Sequence, residues 1–295
     1  MTRHPLVPDP ARIGVVVITM NRRAELLRTL AELADFDPRP PVVVLDNGSV
    51  DGTADSVRHE VPWVELIALP HNRGAAARNI GVRRLRTDYV AFCDDDMPWQ
   101  RGSLDRAVDV LDDYPWVAVL AAKVLVGPGD REDPVCRQMR EGGLLAARPT
   151  PGPRVLGFLA GAVVVRRRAF LAAGGFTERF GIGGEEDLLA WDLDATGWDL
   201  VYDDRLAVRH HPSEVRDSAS RAIREHRNRL WAAWMRRRPG HALRETATAF
   251  RRALTDPTER RALVAAVGGL VWALRNRQRI PDVLEAELAA LERRW

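Results

Sequence analysis

The sequence predicts an α/β fold, a mostly parallel sheet flanked by helices and followed by a helical C-terminal extension. Three observations predict it. Apolar β-rich runs alternate with helix-spaced segments through the first two thirds of the chain, which is the pattern of βαβ units. The run Ile13–Thr19 (IGVVVIT) is continuously apolar, as a strand covered on both faces must be. From Val215 onward no strand signal returns, and apolar residues recur at helical spacing.

Taken in order, the first strand is followed by Asn21 and a helix over 22–34, where Leu26, Leu27, Leu30 and Leu33 share one face. A second strand over 42–45 runs into the turn DNGSVDGT, a short helix from about Thr53 and a third strand over 64–69. HNRGAAARNIGVRRLRTD reads as a loop feeding a helix, and 89–93 is the fourth strand. A helix over 103–111 and a strand over 116–125 lead to a Gly/Pro-rich stretch, 127–153, read as a long surface excursion with little periodicity. A strand returns at 161–165, then a helix at Glu185–Ala195 and a short strand at 206–209 ending in His210, His211 and Pro212. Helices over 221–235, 241–254, 260–276 and 281–294 complete the chain, giving a catalytic domain over 1–214 and a basic helical extension over 215–295.

Size and composition suit a folded domain with an appendage: 295 residues, 46% hydrophobic and 29% charged. Net charge is +3 but unevenly placed, since residues 205–295 carry 20 basic against 10 acidic side chains. Two cysteines, Cys93 and Cys136, make no disulfide framework, and no Cys/His metal spacing is present. MTRHPLVPDPAR lacks an apolar core for a signal peptide, and no apolar run is long enough for a membrane span. The expected location is the cytoplasm, with peripheral contact at the inner face of the membrane as an option for the basic tail. In that tail Trp231, Trp234 and Trp272 stand among arginines and leucines. They read either as stripes packing on the sheet or as a membrane face, because basic amphipathic helices with tryptophan favour anionic interfaces. No nucleic-acid-binding motif accompanies the charge.

Ligands of open α/β sheets gather beyond the carboxyl ends of the strands, and the polar segments Thr19–Asn21, Asp46–Gly52 and Asp94–Asp96 all fall there. Within DNGSVDGT, Asp46, Asn47 and Gly48 suit either an Asx turn or a carboxylate that accepts bonds from a nucleobase or ribose. Arg78, at a helix start among small residues, suits a phosphate. Asp94, Asp95 and Asp96 read either as a solvated loop or helix cap or as a site for a cation, since two unit charges about 4 Å apart repel by roughly 4 kcal/mol at an effective dielectric near 20. Oxygen ligands select hard divalent ions, Mn²⁺ or Mg²⁺, which bridge substrate phosphates. His210 and His211 could add a nitrogen ligand. Glu185, Glu186 and Asp187 at a helix N-terminus are either dipole-favoured acids or hold a general base. No P-loop and no GxGxxG after the first strand is present, so ATPase and dinucleotide readings lose their main support.

The succession VVVITMNR, VVVLDNGSVDGT, HNRGAAARNIGV, VAFCDDD, GEEDLLAWDLDATGW and HHPS resembles the family 2 glycosyltransferases with a GT-A nucleotide-sugar fold, over roughly residues 11–215. That resemblance implies a nucleoside-diphosphate sugar donor, a hydroxyl acceptor (a lipid-linked glycan or a natural product), and transfer with inversion at the anomeric carbon. It implies Asp46 at the nucleobase or ribose with Thr19, Asn21, Asn47 and Gly48 around it, Asp94 and Asp96 as the Asp-x-Asp of nucleotide and Mn²⁺/Mg²⁺ binding, and a metal-binding histidine near His210. Aligned on Gly184, Glu186 falls at the base position. Asp192 falls where many relatives carry a diphosphate-binding arginine, which leaves phosphate neutralisation to the metal, Arg78 or tail arginines. Retaining transfer, a sugar-nucleotide pyrophosphorylase and a non-catalytic binding module are the competing readings; the pyrophosphorylase lacks its Gly-rich N-terminal signature here.

Overall fold

The computed structural model describes residues 11–212 and 218–294. Strands β1 (Ile13–Thr19), β2 (Val42–Asp46), β3 (Glu65–Ala68) and β4 (Tyr89–Asp94) lie side by side in the order β3-β2-β1-β4, all parallel. Their connections are α1 (Arg23–Ala34), α2 (Thr53–Glu60) and α3 (Ala77–Arg84), the last entered through a single 3₁₀ turn, Gly74–Ala76. β1, β2 and β4 are buried nearly throughout, which is why they read as unbroken apolar runs rather than alternating ones.

The second half of the sheet is mixed. After α4 (Ser103–Asp113) come β5 (Val117–Val126), the two-residue β6 (Arg131–Glu132), α5 (Pro134–Glu141), β7 (Val163–Arg166) and α6 (Arg167–Ala172). β7 lies antiparallel between β4 and β5, whereas β8 (Asp199–His210) runs parallel to β5 beyond α7 (Glu185–Ala195). The sheet is therefore mostly parallel as expected, with β6 and β7 the antiparallel exceptions. β8 is also longer than the expected 206–209 because a register irregularity carries its pairing past the polar Asp203 and Asp204. The 127–153 excursion is not featureless: α5 is capped by Asp133 and buries Cys136 and Met139, too short an apolar signal to show in the sequence.

The C-terminal helices are α8 (Ser218–Arg236), α9 (Pro239–Ala253), α10 (Pro257–Arg275) and α11 (Asp282–Glu292). The expected boundary at 214/215, like Val215 itself, lies outside the described residues. The extension shares a core with the body: Phe180 and Leu188 pack with Leu230, Trp231 and Met235, and Trp272 closes on Trp231 at 5.4 Å between ring centroids. The tryptophans pack among the helices and against Phe180 rather than on the sheet. Trp231 is buried, and the indole of Trp234 donates to Thr246 Oγ1 at 3.0 Å.

Candidate active site

Strand register assembles the site floor. Thr19 pairs with Asp46 across β1 and β2, and Ile18 with Asp94 across β1 and β4, so three polar strand ends lie abreast. Asp46 is buried and accepts from the Ser49 N–H at 2.9 Å, closing the turn in which Gly48 takes φ +81°. The side chains of Asn47 and Asn21 brace this edge. Asn47 accepts from the Arg73 N–H at 3.2 Å and donates to the Gly74 carbonyl at 3.3 Å. Asn21 accepts from the Val50 N–H at 2.8 Å.

The three aspartates are neutralised from within. Arg22 donates to Asp95 Oδ1 and Asp96 Oδ2, each at 2.8 Å, and Thr19 donates to Asp95 Oδ2 at 2.8 Å. Arg78, itself buried, donates to Asp94 and lies with its guanidinium 5.7 Å from the Phe92 ring centroid. Burial pushes the Asp95 carboxyl up to about 7 even against Arg22 and Thr19. Burial would raise Asp96 too, but His210 and Arg22 together hold it below the ordinary carboxylate range. Asp94 remains open to solvent, with a side-chain exposure of 36% against 3% for Asp96.

β8 reaches this cluster because its last residues zip onto the segment after β4. The Gln100 N–H donates to the Ala207 carbonyl at 2.9 Å, Arg209 N–H to Pro98 at 3.0 Å, and His211 N–H to Asp96 at 2.9 Å. Neighbouring side chains on an extended strand point opposite ways. Accordingly His210 Nε2 stands 3.7 Å from Asp96 Oδ2, while His211 Nε2 stands 3.9 Å from Glu32 Oε1. Among the described residues no three His, Cys, Asp or Glu side chains form a ready-made metal cluster. Asp94, Asp96 and His210 carry oxygen and nitrogen donors of the kind that suit Mn²⁺ or Mg²⁺, ions that complete their coordination with water and phosphate, but only His210 and Asp96 are close to each other here.

The second acidic group enters from α7. Glu185 is buried, with Oε2 lacking a hydrogen-bond partner among the described residues, and burial beside Glu186 pushes its carboxyl up to about 9. Asp187 is exposed at the surface, and the groups crowding it, with the Glu186 charge, raise its carboxyl above the ordinary range. Glu186 is half-buried between them. The Asp192 carboxylate, where an arginine was expected of relatives, is gripped in bidentate fashion by Arg236 of α8, with Nη2 to Oδ2 at 2.9 Å.

Four contributors escaped the sequence reading. Arg22 lies in the quoted VVVITMNR but gave no sign of bridging two carboxylates. Gly161 sits against Asp94, where a methyl group would fall 2.6 Å from Asp94 Cγ, so only glycine fits under that carboxylate. Gly157 lies beside Asp187, where a methyl group would fall 3.2 Å from Asp187 Oδ1. Asn228 of α8 donates to the Phe180 carbonyl at 2.9 Å and the Gly183 carbonyl at 2.6 Å, tying down the loop that delivers the acids. Its burial is visible only in the folded chain, and nothing in RAIREHRNRLWAAWMRRR sets it apart.

The sequence profile of glycosyl transferase family 2 matches residues 14–173. The chain belongs to this family. A Mycobacterium tuberculosis N-acetylglucosaminyl-diphospho-decaprenol L-rhamnosyltransferase is 31% identical over 252 residues, covering 73% of this chain and 82% of that protein. A pre-mycofactocin glycosyltransferase from the same organism is 31% identical over 227 residues, covering 74% of this chain and 47% of the relative. Among solved structures, S. aureus TarS (residues 1–349) in complex with UDP-GlcNAc superposes with a TM-score of 0.64 at 18% identity, covering 94% of this chain and 83% of that one. A Pyrobaculum calidifontis mannosyltransferase in complex with GDP-Man and Mn²⁺ gives 0.58 at 22% identity, covering 99% and 79%. The fold is thus GT-A, and the chain is a family 2 glycosyltransferase. The profile match ends before Glu185–Asp187 and His210.

Proposed function

We propose that the enzyme is a metal-dependent, inverting transferase that moves a sugar from a nucleoside diphosphate to a hydroxyl of a lipid-linked acceptor at a membrane surface. The observation that carries this reading is that Arg78 links two acidic groups: it donates to Asp94, and its charge reaches Glu185 on the helix entered from the Gly181–Gly184 loop. Asp94, Asp96 and His210 would hold the divalent ion, which supplies charge stabilisation to a departing diphosphate when bound.

The chain's own residues do the rest. Asp46 accepts from the nucleobase or ribose in a turn kept rigid by Ser49, Asn47 and Asn21. Arg78 sits beside Asp94, where it adds positive charge at the phosphates. Glu186 takes the proton of the acceptor hydroxyl as its oxygen bonds to the anomeric carbon; the bond to diphosphate oxygen breaks on the opposite face, and the configuration inverts. Glu185, holding its proton to about pH 9, keeps one of three adjacent carboxyls uncharged. Asp187 lies exposed against Gly157, where an acceptor could approach Glu186. The rhamnosyltransferase relative, named for a decaprenol-linked acceptor, supports the lipid-linked choice.

A thermal-shift panel of UDP, dTDP and GDP with and without Mn²⁺ tests the donor site, because a ligand that binds only the folded state raises its apparent stability. One nucleotide is expected to shift the melting point, and only with the metal. No shift by any of them overturns the reading, and retained anomeric configuration in the product by NMR overturns inversion.

A further inference from the structure

Most large apolar side chains exposed on the described surface are gathered on α9 and α10 and the residue that follows α9. Leu243, Phe250 and Leu254 are 58%, 59% and 66% exposed, and Val264, Val267 and Val271 are 69%, 64% and 63% exposed. Leu274 joins the second set. Both sets follow helical spacing, so each helix carries one continuous outward stripe. The fold does not need these stripes. α10 meets the body through its opposite side, where Ala262, Ala266 and Ala273 are buried and the Ala266 carbonyl accepts from the Trp231 indole at 2.8 Å.

Charge identifies the occupant. Arg260 and Arg261 bracket the α10 stripe at one end and Arg275 at the other, all exposed, while Arg244 and Arg251 flank the α9 stripe. No acidic residue occurs between Glu259 and Asp282. Glu259 is buried and faces His226 at 3.2 Å, and the exposed Asp256 caps α10 through the Thr258 N–H at 2.7 Å. Valines and leucines framed by arginines suit an anionic bilayer, which takes the aliphatic groups into its boundary while the arginine stems lie along it and the guanidinium groups meet the headgroups. A second copy fits worse, because an isologous contact would set arginine against arginine.

We propose that the outward faces of α9 and α10 form a docking surface for an anionic lipid bilayer. It replaces the buried tryptophans as the membrane-facing element, and it deepens the proposed reading of a lipid-linked acceptor. α8 joins the surface to the site, since its Trp231 packs on α10 and its Asn228 holds the loop that precedes the acidic motif.

Co-sedimentation of the full chain with phosphatidylcholine vesicles, with and without phosphatidylglycerol, tests it. Binding to the anionic vesicles should exceed binding to neutral ones at least about tenfold and fall with salt. Val267→Glu with Val271→Glu should weaken that binding at least about tenfold, with melting temperature and the Mn²⁺-nucleotide shift unchanged. Arg261→Glu with Arg275→Glu should do the same without touching the apolar stripe. Wild-type chain left in the supernatant, equal binding to neutral vesicles, or unaltered binding by both double variants overturns the surface. So does a change in solution mass caused by the valine variants, which would assign the face to a second copy. Nucleotide binding is read without vesicles, so losing one result does not lose the other.

Discussion

The molecule holds two runs of three consecutive carboxylates, and it treats them differently. Asp94, Asp95 and Asp96 end a strand, and each touches a guanidinium: Arg78 for the first, Arg22 for the other two. Glu185, Glu186 and Asp187 open a helix, and among the described residues none of them makes an ion pair within 4 Å. There the repulsion is relieved by proton retention, with Glu185 raised to about 9 and Asp187 above the ordinary range. The contrast fits the proposed roles: the cluster proposed to hold a cation is built around positive charge, while the one proposed to move a proton is kept short of it. α8 arginines stand within electrostatic reach of the second cluster, Arg221 of the glutamates and Arg229 of Asp187, without pairing to it.

The sharpest break would come at the second cluster. Glu186→Gln is expected to lower turnover by roughly 10²–10⁴, the usual worth of a general base, while the Mn²⁺-nucleotide thermal shift stays. Parallel assays of Glu185→Gln and Asp187→Asn decide the assignment. If Asp187→Asn collapses turnover and Glu186→Gln does not, the base moves one residue along α7.

Arg22→Ala tests the first cluster. Removing one partner of a buried ion pair costs about 3–5 kcal/mol; because Arg22 keeps 27% of its side-chain exposure, a loss of roughly 1–3 kcal/mol is expected in chemical denaturation. Mn²⁺ should then stabilise the variant more than the parent chain, since a metal can supply the missing charge. Equal metal effects on both would separate the aspartates from any cation role.

Asn228→Ala strips two carbonyls of their donor and should cost about 1–3 kcal/mol. It should also lower kcat through the displaced 180–184 loop, with nucleotide binding kept. An unchanged kcat would show that α8 merely covers the second cluster.

A further test is the pH dependence of stability. A glutamate in the unfolded chain ionises near 4.5, but Glu185 keeps its proton to about pH 9 when folded. Between those values the unfolded state binds fewer protons, so stability is fully present below pH 4.5 and declines as pH rises, by at most about 1.4 kcal/mol per unit. Asp95 contributes the same sign between 3.8 and about 7. Glu185→Gln should therefore flatten the decline between pH 7 and 9 in a series of melting curves, and an unaltered slope would refute the buried, protonated state.

Much of this was legible in the chain because it is local. β1, β2 and β4 announce themselves as apolar runs, and the polar residues that end them are written immediately after. The acids of α7 likewise follow their glycines directly, so the helix bounds Glu185–Ala195 came out as expected. Misreadings fell where meaning depends on a distant partner. α5 looked like loop because only Cys136 and Met139 mark its buried side. β8 looked short because Asp203 and Asp204 read as a break, although Asp203 is buried and bound by Arg205 at 2.7 Å.

By itself, then, the sequence determined the element order of the parallel half, the sheet edge where ligands would collect and the kinds of side chain waiting there, since hydrophobic period and strand-end chemistry need no long-range contact. Only the tertiary structure decided which histidine faces Asp96, that Arg22 bridges two aspartates, that Asn228 secures the acidic loop, and that tryptophans of the extension turn inward while its valines turn out. Those outcomes depend on register and packing between segments far apart in the chain, and no single stretch of residues carries that information.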